Sequence, residues 1–199
     1  SFSNHDVMRH VSRWAGQGDE AALARQAIHL LCALPGTLGI YQGEELGLPE
    51  ADVAYEDLRD PYGIEFWPEF KGRDGCRTPM VWEHSNQNGG FTKGTPWLPV
   101  AREHLHLAAA HQEDDPGALI HHYRKAVAFR HAHPALMDGS HADLSAKGEV
   151  VLRSASRWRH AKPARALAVD FLANAQSSPA IRSAAALFLA SPDVRSHPS

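Results

Sequence analysis

Cysteine is scarce in this chain: its 199 residues contain two, Cys32 and Cys76. That number excludes a disulfide-rich scaffold, and the spacing of the pair does not match a zinc site. Cys32 lies in an apolar helical stretch, which favours a buried free thiol, although a disulfide with Cys76 stays open. Nothing in the sequence requires an oxidising compartment, and no secretion signal is visible. We therefore expect a cytoplasmic protein.

The chain also lacks an excess of one charge and a long apolar run. It has 20 basic and 23 acidic side chains, a net charge of −3 and a pI near 6.5. This balance argues against binding nucleic acid or a membrane surface through bulk electrostatics. The longest apolar run, residues 27 to 41, is interrupted by His29, Pro35 and Gly36 and is too short for a membrane span. The hydrophobic share of 43% is nevertheless enough for a folded core.

The first forty residues predict a strand, a helix and a second strand. Phe2 stands in a short extended segment, and Asp19 suits the N-cap of a helix over residues 20–34. Pro35 and Gly36 then end that helix, and residues 37–41 have the pattern of a short buried strand. A short turn between helix and second strand gives βαβ wiring, which predicts an α/β fold with parallel strands.

The middle of the chain has a different character. Residues 43–115 are rich in glycine, proline, tryptophan and charge without a sustained period, so we expect a functional segment, short helices, or both. Asp115 and Pro116 then predict the N-cap and first position of a second helix, which Pro134 ends. The apolar stripe of that helix consists of Leu119, Ile120, Tyr123 and Val127.

Polar side chains that could carry chemistry follow the two predicted strands. Asn4, His5 and Asp6 come after the first, and the C-terminal ends of parallel barrel strands face the active site. A carboxylate beside an imidazole there suits a ligand rich in hydroxyls, although Asp6 could instead cap a turn. Glu44 and Glu45 end the second strand, where they could face a ligand or hold a nearby arginine.

The long middle segment combines arginine–aspartate pairs with tryptophans. Arg73, Asp74 and Arg77 share it with three indole rings, a combination that could form a sugar platform or simply keep the segment ordered. The three rings belong to Trp67, Trp82 and Trp97.

Histidine is abundant, with 14 residues in the chain. The close pairs stand one or two positions apart, so their side chains do not converge on one helix face. We therefore expect solvent-exposed histidines and no metal site. The pairs are His104 and His106, His121 and His122, and His131 and His133.

Several long motifs occur in one order: SFSNHDVMR over residues 1–9, IYQGEELG over 40–47, and KGRDGCRTPMVW over 71–82. With DPYG at 60–63 and PWLPV at 96–100, they closely resemble glycoside hydrolase family 13, the α-amylase superfamily. The resemblance is to its α-glucosidase and oligo-1,6-glucosidase branch. It covers about 140 residues, and the number of ordered motifs makes it specific.

The resemblance implies a (β/α)8 TIM barrel, of which this chain would carry the C-terminal quarter. That quarter comprises strands 7 and 8 with their helices and a long β8–α8 loop. Residues 1–140 would belong to the catalytic barrel, and residues 141–199 would be a divergent tail in place of the family's β-sandwich. The tail has a possible strand at 149–152 and a helix-prone, alanine-rich stretch at 180–190. It is either a genuine divergent tail or the product of a shifted reading frame.

The resemblance also implies the chemistry of a retaining α-glucosidase, which hydrolyses or transfers α-glucosyl units of short α-glucosides without a cofactor. Asp6 matches the carboxylate that stabilises the transition state, and His5 and Arg9 match residues that bind the same sugar. The motifs of the nucleophile and the acid/base are absent from this chain, which we therefore expect to be inactive by itself. The alternative is a non-catalytic remnant or a sugar-binding module.

Overall fold

A computed structural model describes residues 1–16, 18–34, 36–137, 144–147 and 150–153. Short helices joined by long connections dominate these residues. The α-helices are α1 (His10–Trp14), α2 (Glu20–Ala33), α3 (Pro61–Glu65), α4 (Ala109–Glu113) and α5 (Leu119–Ala132). Short 3₁₀-helices cover Glu44–Leu46, Tyr55–Asp57, Asp74–Cys76, Arg102–Leu107 and Pro134–Leu136. The strands are β1 (Leu144–Lys147) and β2 (Val150–Arg153), which pair antiparallel.

The chain divides into two compact units. One comprises Ser1–Ala24 and Leu38–Lys125, and it contains all of the residues singled out above as carriers of chemistry. The other contains Arg25–Thr37 and the described residues from Ala126 onward. The boundary predicted between residues 140 and 141, like the alanine-rich stretch at 180–190, lies outside the described residues.

Helix α2 confirms the first predicted helix. The Asp19 Oδ1 atom accepts a hydrogen bond of 3.0 Å from the N–H of Ala22, as an N-cap does. The helix ends at Ala33, one residue earlier than predicted. Its buried residues lie at the spacing of a helix that is covered on most sides: Ala24, Ala27, Ile28, Leu31, Cys32 and Ala33.

Helix α5 begins three residues later than the sequence predicts. The Asp115 carboxylate accepts the N–H of Gly117 at 2.8 Å, and the Asp115 carbonyl accepts that of Ala118 at 2.9 Å, which forms a separate turn. The buried side chain of Gln112 then accepts the N–H of Ile120 at 3.2 Å. The side-chain amide of Gln112, not Asp115, therefore accepts an N–H in the first turn of α5. The predicted stripe is confirmed, since Leu119, Ile120 and Tyr123 are buried and Val127 is half-buried.

The predicted strand at residues 37–41 is wrong for the described structure. These residues form no strand, and Ile40 is exposed. The first extended segment likewise forms only one isolated bridge, between Asn4 and Val7. A Cβ atom built on Gly39 would lie 3.4 Å from the Ser1 Cβ, so the two segments are neighbours without pairing. A strand exists only through the hydrogen bonds of a partner, which local sequence does not supply. The strand predicted at 149–152 corresponds to β2.

The middle segment is ordered by several short helices, as predicted. The core beneath it combines residues from three separate parts of the segment with α5: Leu46, Leu48, Met80, Val81, Ala108 and Ile120. A smaller cluster consists of Val53, Leu58 and Leu98, with the half-buried Trp67 packed against it. Among the helices of the described residues, none is both long and apolar enough to cross a bilayer.

Within the second unit, Arg130 closes the C-terminal end of α2. Its Nη1 donates to the carbonyls of Cys32 at 2.5 Å and Leu34 at 2.8 Å, and its Nη2 donates to that of Gly36 at 2.6 Å. The side chain is only 3% exposed. One guanidinium thus satisfies carbonyls that the end of a helix leaves without a partner.

Arg130→Ala should lower the free energy of unfolding by about 2–4 kcal/mol, because it leaves one buried and two partly buried carbonyls without their donor. Arg130→Lys should recover part of this loss, since an ammonium lacks the planar fork that reaches three carbonyls. Urea titration followed by circular dichroism measures the difference. Arg124→Ala is the control, because Arg124 forms an exposed ion pair with Glu113, and it should change stability little. Equal stability of the Arg130→Ala variant and the unmodified chain would contradict this assignment.

Candidate functional site

The turn at residues 4–7 displays two polar side chains. The Asn4 Oδ1 accepts the N–H of Asp6 at 2.8 Å, and an isolated bridge joins Asn4 to Val7. This closure leaves the side chain of His5 70% exposed and that of Asp6 49% exposed. Asn4 therefore shapes the turn, and the imidazole and the carboxylate beside it are accessible to a ligand.

Two arginines of the middle segment converge on Asp6. Arg73 Nη1 lies 3.0 Å and Arg77 Nη2 lies 3.1 Å from Asp6 Oδ1, while His5 Nε2 lies 3.3 Å from Asp6 Oδ2. Arg77 Nε also donates to the His5 carbonyl at 2.7 Å. This group of acceptors and donors, which we call the Asp6 cluster (His5, Asp6, Arg73 and Arg77), can hydrogen-bond several hydroxyls at once.

Asp60 holds Arg73 in place from the buried side. Arg73 Nε donates to Asp60 Oδ2 at 2.8 Å and Arg73 Nη2 donates to Oδ1 at 2.9 Å, a two-pronged geometry that charge strengthens. The backbone N–H of Arg73 donates to the same Oδ2 at 2.7 Å. These hydrogen bonds keep the pKa of Asp60 well below its usual range and raise the pKa of Arg73. The pair therefore stays ionised and fixes the direction of the remaining Arg73 donor toward Asp6.

Asp74, a second buried carboxylate, and Gly72 support the backbone around this ion pair. Asp74 Oδ2 accepts the N–H groups of Arg59 at 2.6 Å and of Asp60 at 2.7 Å. Gly72 has φ +77°, and a Cβ there would lie 2.8 Å from the Gly63 Cα and 3.0 Å from Asp60 Oδ2. Only glycine satisfies both the backbone angle and the close approach at this position.

Arg9, which matches a sugar-binding residue in the resemblance, is buried in the described structure. It is only 1% exposed, and its Nη1 and Nη2 donate to the carbonyls of Gln42 at 2.8 Å and Cys76 at 3.2 Å. Its own N–H donates to Glu50 Oε2 at 2.8 Å. Burial lowers the pKa of Arg9, and the Tyr41 ring lies 5.4 Å from its guanidinium. In the described structure the Arg9 side chain joins backbone segments through its two Nη atoms and is too deeply buried to reach a ligand.

The two glutamates at residues 44 and 45 support local structure. Glu44 is 3% exposed; its Oε2 accepts the N–H of Tyr41 at 3.2 Å, and its Oε1 lies 3.4 Å from His10 Nδ1. Glu45 Oε2 accepts the N–H of Gly43 at 2.8 Å, and burial raises the pKa of Glu45. Of the two alternatives, the structural one is favoured, although their partners are backbone groups and a histidine rather than an arginine.

The tryptophans do not share one platform role. Trp67 is half-buried against the small core cluster, with the Tyr55 ring 5.5 Å away and Lys71 Nζ 5.3 Å from its centroid. Trp82 and Trp97 are 50% and 66% exposed. Trp67 therefore orders the segment, as one of the two alternatives proposed.

The histidines are less exposed than predicted. His104 is fully buried, its Nε2 lies 2.9 Å from the Pro49 carbonyl, and burial lowers its pKa. The prediction of exposure is wrong at His104, because a carbonyl distant in sequence gives its ring a partner. His106 is exposed as predicted. Among the described residues, no group of three potential ligands is arranged to hold a metal ion.

Sequence reasoning missed Asp60 and the ring of Tyr62 beside it. The Asp60–Pro61 pair is a recognisable helix start, and Asp60 Oδ1 does accept the Tyr62 N–H at 3.3 Å. The partnership of Asp60 with Arg73, however, depends on how the loop returns. The Arg73 guanidinium also lies 5.4 Å from the Tyr62 ring centroid, which places an aromatic side chain next to the Asp6 cluster.

Comparison with known proteins identifies the family. The model of the α-amylase catalytic domain matches residues 1–139. A probable α-glucosidase of Rhizobium meliloti (strain 1021) is 57% identical over 152 residues, which cover 76% of this chain and 27% of that protein. An oligo-1,6-glucosidase of Heyndrickxia coagulans is 36% identical over 157 residues, which cover 69% of this chain and 28% of the relative.

Solved structures agree with these relatives. The crystal structure of an α-glucosyl transfer enzyme, XgtA, superposes with a TM-score of 0.69 at 52% identity, over 74% of this chain and 27% of that one. A trehalulose synthase, MutB, gives a TM-score of 0.63 at 30% identity, over 71% of this chain and 29% of that one. The chain thus spans between a quarter and a third of the length of the proteins that it matches.

Asp60→Asn should make the chain less stable at neutral pH, because the carboxamide cannot form the charged two-pronged pair with Arg73. The folded pKa of Asp60 is depressed, so its contribution is present above the unfolded pKa of about 4 and is lost as the pH falls through the folded value. The difference in unfolding midpoint between the unmodified chain and the variant should therefore narrow from pH 7 to pH 2.

Asp52→Asn is the matched control, since Asp52 forms an exposed pair with Lys71. It should lower stability little at any pH. A difference between the unmodified chain and Asp60→Asn that stays constant with pH would show that the charge of Asp60 does not stabilise the fold.

Proposed function

Because the chain belongs to the α-amylase catalytic-domain family, we propose that it forms part of the active site of a retaining α-glucosidase. The enzyme would hydrolyse or transfer the α-glucosyl unit of short α-glucosides. The observation that carries this proposal is the Asp6 cluster, in which an accessible carboxylate is oriented by two guanidinium groups. Residues 1–140 would contribute the last quarter of a (β/α)8 barrel and residues 141–199 a divergent tail.

Asp6 is proposed to act on the transition state. In a retaining mechanism the glycosidic C1–O bond breaks as a nucleophilic carboxylate bonds to C1, and an acid gives its proton to the leaving oxygen. The sugar carries positive charge while these bonds change. A carboxylate that hydrogen-bonds the hydroxyls of that sugar stabilises this charge most when it is already oriented. The hydrogen bonds from Arg73 and Arg77 supply that orientation.

His5 is proposed to bind the same sugar. Its ring is accessible, and its Nε2 lies beside Asp6 Oδ2, so both groups can reach neighbouring hydroxyls. Arg9, which also resembles a sugar-binding residue, is proposed to act from behind by holding the backbone at Gln42 and Cys76. We assign no cofactor and no metal ion to the reaction, because retaining hydrolysis requires only carboxylates.

Hydrolysis and transfer proceed through the same covalent glucosyl-enzyme intermediate. Water accepts the glucosyl group in hydrolysis, and the hydroxyl of a second sugar accepts it in transfer. The Asp6 cluster acts before this choice is made, so it supports both reactions equally.

We also propose a cytoplasmic location. Cys32 and Cys76 are free thiols, and a reducing compartment keeps thiols in this form. Fractionation of source cells with an antibody against the chain tests this location.

In the complete enzyme, Asp6→Asn should lower kcat by about 10²–10³, the loss typical of one preorganised electrostatic group. KM should change much less, since the interaction is strongest in the transition state. Steady-state hydrolysis of maltose and isomaltose measures both constants. Asp52→Asn, the same change at an exposed carboxylate, should keep full activity. An Asp6→Asn variant with unchanged kcat would refute the proposed role.

The 199-residue chain by itself should hydrolyse no α-glucoside, because it lacks the motifs of the nucleophile and the acid/base. Glucose release from maltose by the purified chain, measured against the complete enzyme, tests this expectation. Calorimetric binding of isomaltose without hydrolysis would favour the alternative of a sugar-binding module. Glucose release that Asp6→Asn abolishes would instead show that the chain is sufficient for catalysis.

A further inference from the structure

Helix α3 displays two aromatic rings that nothing described so far explains. Tyr62 lies in the first turn of α3, and Phe66 is the residue that caps the C-terminal end of this helix. They are 57% and 53% exposed. Their centroids are 6.4 Å apart and their planes differ by 10°, which gives a nearly parallel pair. Both rings expose apolar surface to the outside of this unit.

This surface adjoins the Asp6 cluster directly. The guanidinium of Arg73 lies 5.4 Å from the Tyr62 ring centroid, and its Nη1 lies 3.0 Å from Asp6 Oδ1. One planar group thus separates the accessible carboxylate from the first of the two rings. A molecule bound by Asp6 that extends past Arg73 therefore reaches the ring of Tyr62, beside which the ring of Phe66 lies.

The helix that carries the rings is fixed by the same residue that fixes Arg73. Asp60 Oδ1 accepts the Tyr62 N–H at the start of α3, while both carboxylate oxygens hold Arg73. At the next residue of the helix, a Cβ on Gly63 would lie 2.5 Å from the Lys71 carbonyl, so backbone packs tightly there. The rings and the Asp6 cluster therefore keep a constant relative position.

We propose that Tyr62 and Phe66 form a stacking platform for the leaving-group sugar of the substrate. The inference rests on the proposed function, in which Asp6 binds the glucosyl unit that is transferred. A pyranose has apolar C–H faces and hydroxyls around its edge, so it packs flat on an aromatic ring while its hydroxyls remain in water. The sugar held by Asp6 cannot also lie beyond Arg73, so the platform contacts the next unit of the chain.

The neutral, apolar character of the two rings also defines the ligand. Neither ring carries a charge, and the nearest guanidinium is already engaged by Asp60 and Asp6. An uncharged glucosyl or fructosyl leaving group fits this surface. A phosphorylated sugar would find no free cation on the platform itself. The two residues would therefore determine preference for neutral disaccharides and oligosaccharides, without a part in the bond-breaking step.

The test compares two substrates in the complete enzyme. Isomaltose and maltose have a leaving-group sugar, whereas α-glucosyl fluoride has none. Tyr62→Ala and Phe66→Ala should each lower kcat/KM for the disaccharides roughly tenfold, the size expected for loss of one stacking contact. Their kcat/KM for α-glucosyl fluoride should stay within about twofold of the unmodified enzyme. Tyr62→Phe and Phe66→Tyr keep a ring and should retain most of the disaccharide activity.

Phe91→Ala is the control, because Phe91 is a phenyl ring of similar exposure, 51%, in a different turn of the chain. It should change neither substrate. Equal losses on both substrates, with a lower melting temperature, would show that the rings pack against other parts of the enzyme and would overturn the platform. Unchanged disaccharide activity of both alanine variants would also overturn it. If the unmodified enzyme hydrolyses α-glucosyl fluoride, the proposed function stands whatever the fate of the platform; if it hydrolyses neither class, both proposals fail.

Discussion

The ion pair of Asp60 and Arg73 is the interaction on which the candidate site depends. Asp60 is only 1% exposed, and a buried carboxylate is stable in its charged form when it has an oppositely charged partner and hydrogen bonds to its oxygens. Asp60 has such partners in the side chain and backbone of Arg73 and in the start of α3. The five donors of a guanidinium allow Arg73 to fill this buried position and still reach Asp6. The position of the accessible carboxylate therefore follows from a buried one.

Two arginines of this unit have different roles because one is buried and the other is partly exposed. Arg9 stands three residues from Asp6, yet its donors are used by backbone carbonyls and it is almost fully buried. Arg73 comes from a loop 67 residues away from Asp6 and contacts it directly. Closeness in sequence to Asp6 thus does not predict which arginine contacts its carboxylate. Stability and orientation are coupled, because Asp60 contributes to both.

The sequence located part of the site and left its geometry open. The motif around Asn4, His5 and Asp6 marked the carboxylate, and the arginine-rich segment was recognised as a possible sugar platform or as an ordered loop. Neither observation showed that Arg73 and Arg77 would meet Asp6, nor that Tyr62 would lie beside them. Arg73 and Arg77 lie more than 60 positions from Asp6 in the sequence, and Tyr62 meets Arg73 across a loop. Neither the local periodicity of apolar residues nor a helix-capping pattern predicts such contacts.

The sequence by itself determined the features that depend on a few neighbouring residues. Asp19 capped α2, apolar spacing gave α5 its buried stripe, and ordered motifs identified the family. The tertiary structure decided the features that need a distant partner. Residues 37–41 did not become a strand because a strand requires a paired neighbour, and Asp6 is contacted by Arg73 and Arg77 from more than 60 positions away. Helix hydrogen bonds close within four residues, whereas strand pairing and buried ion pairs depend on the path of the whole chain.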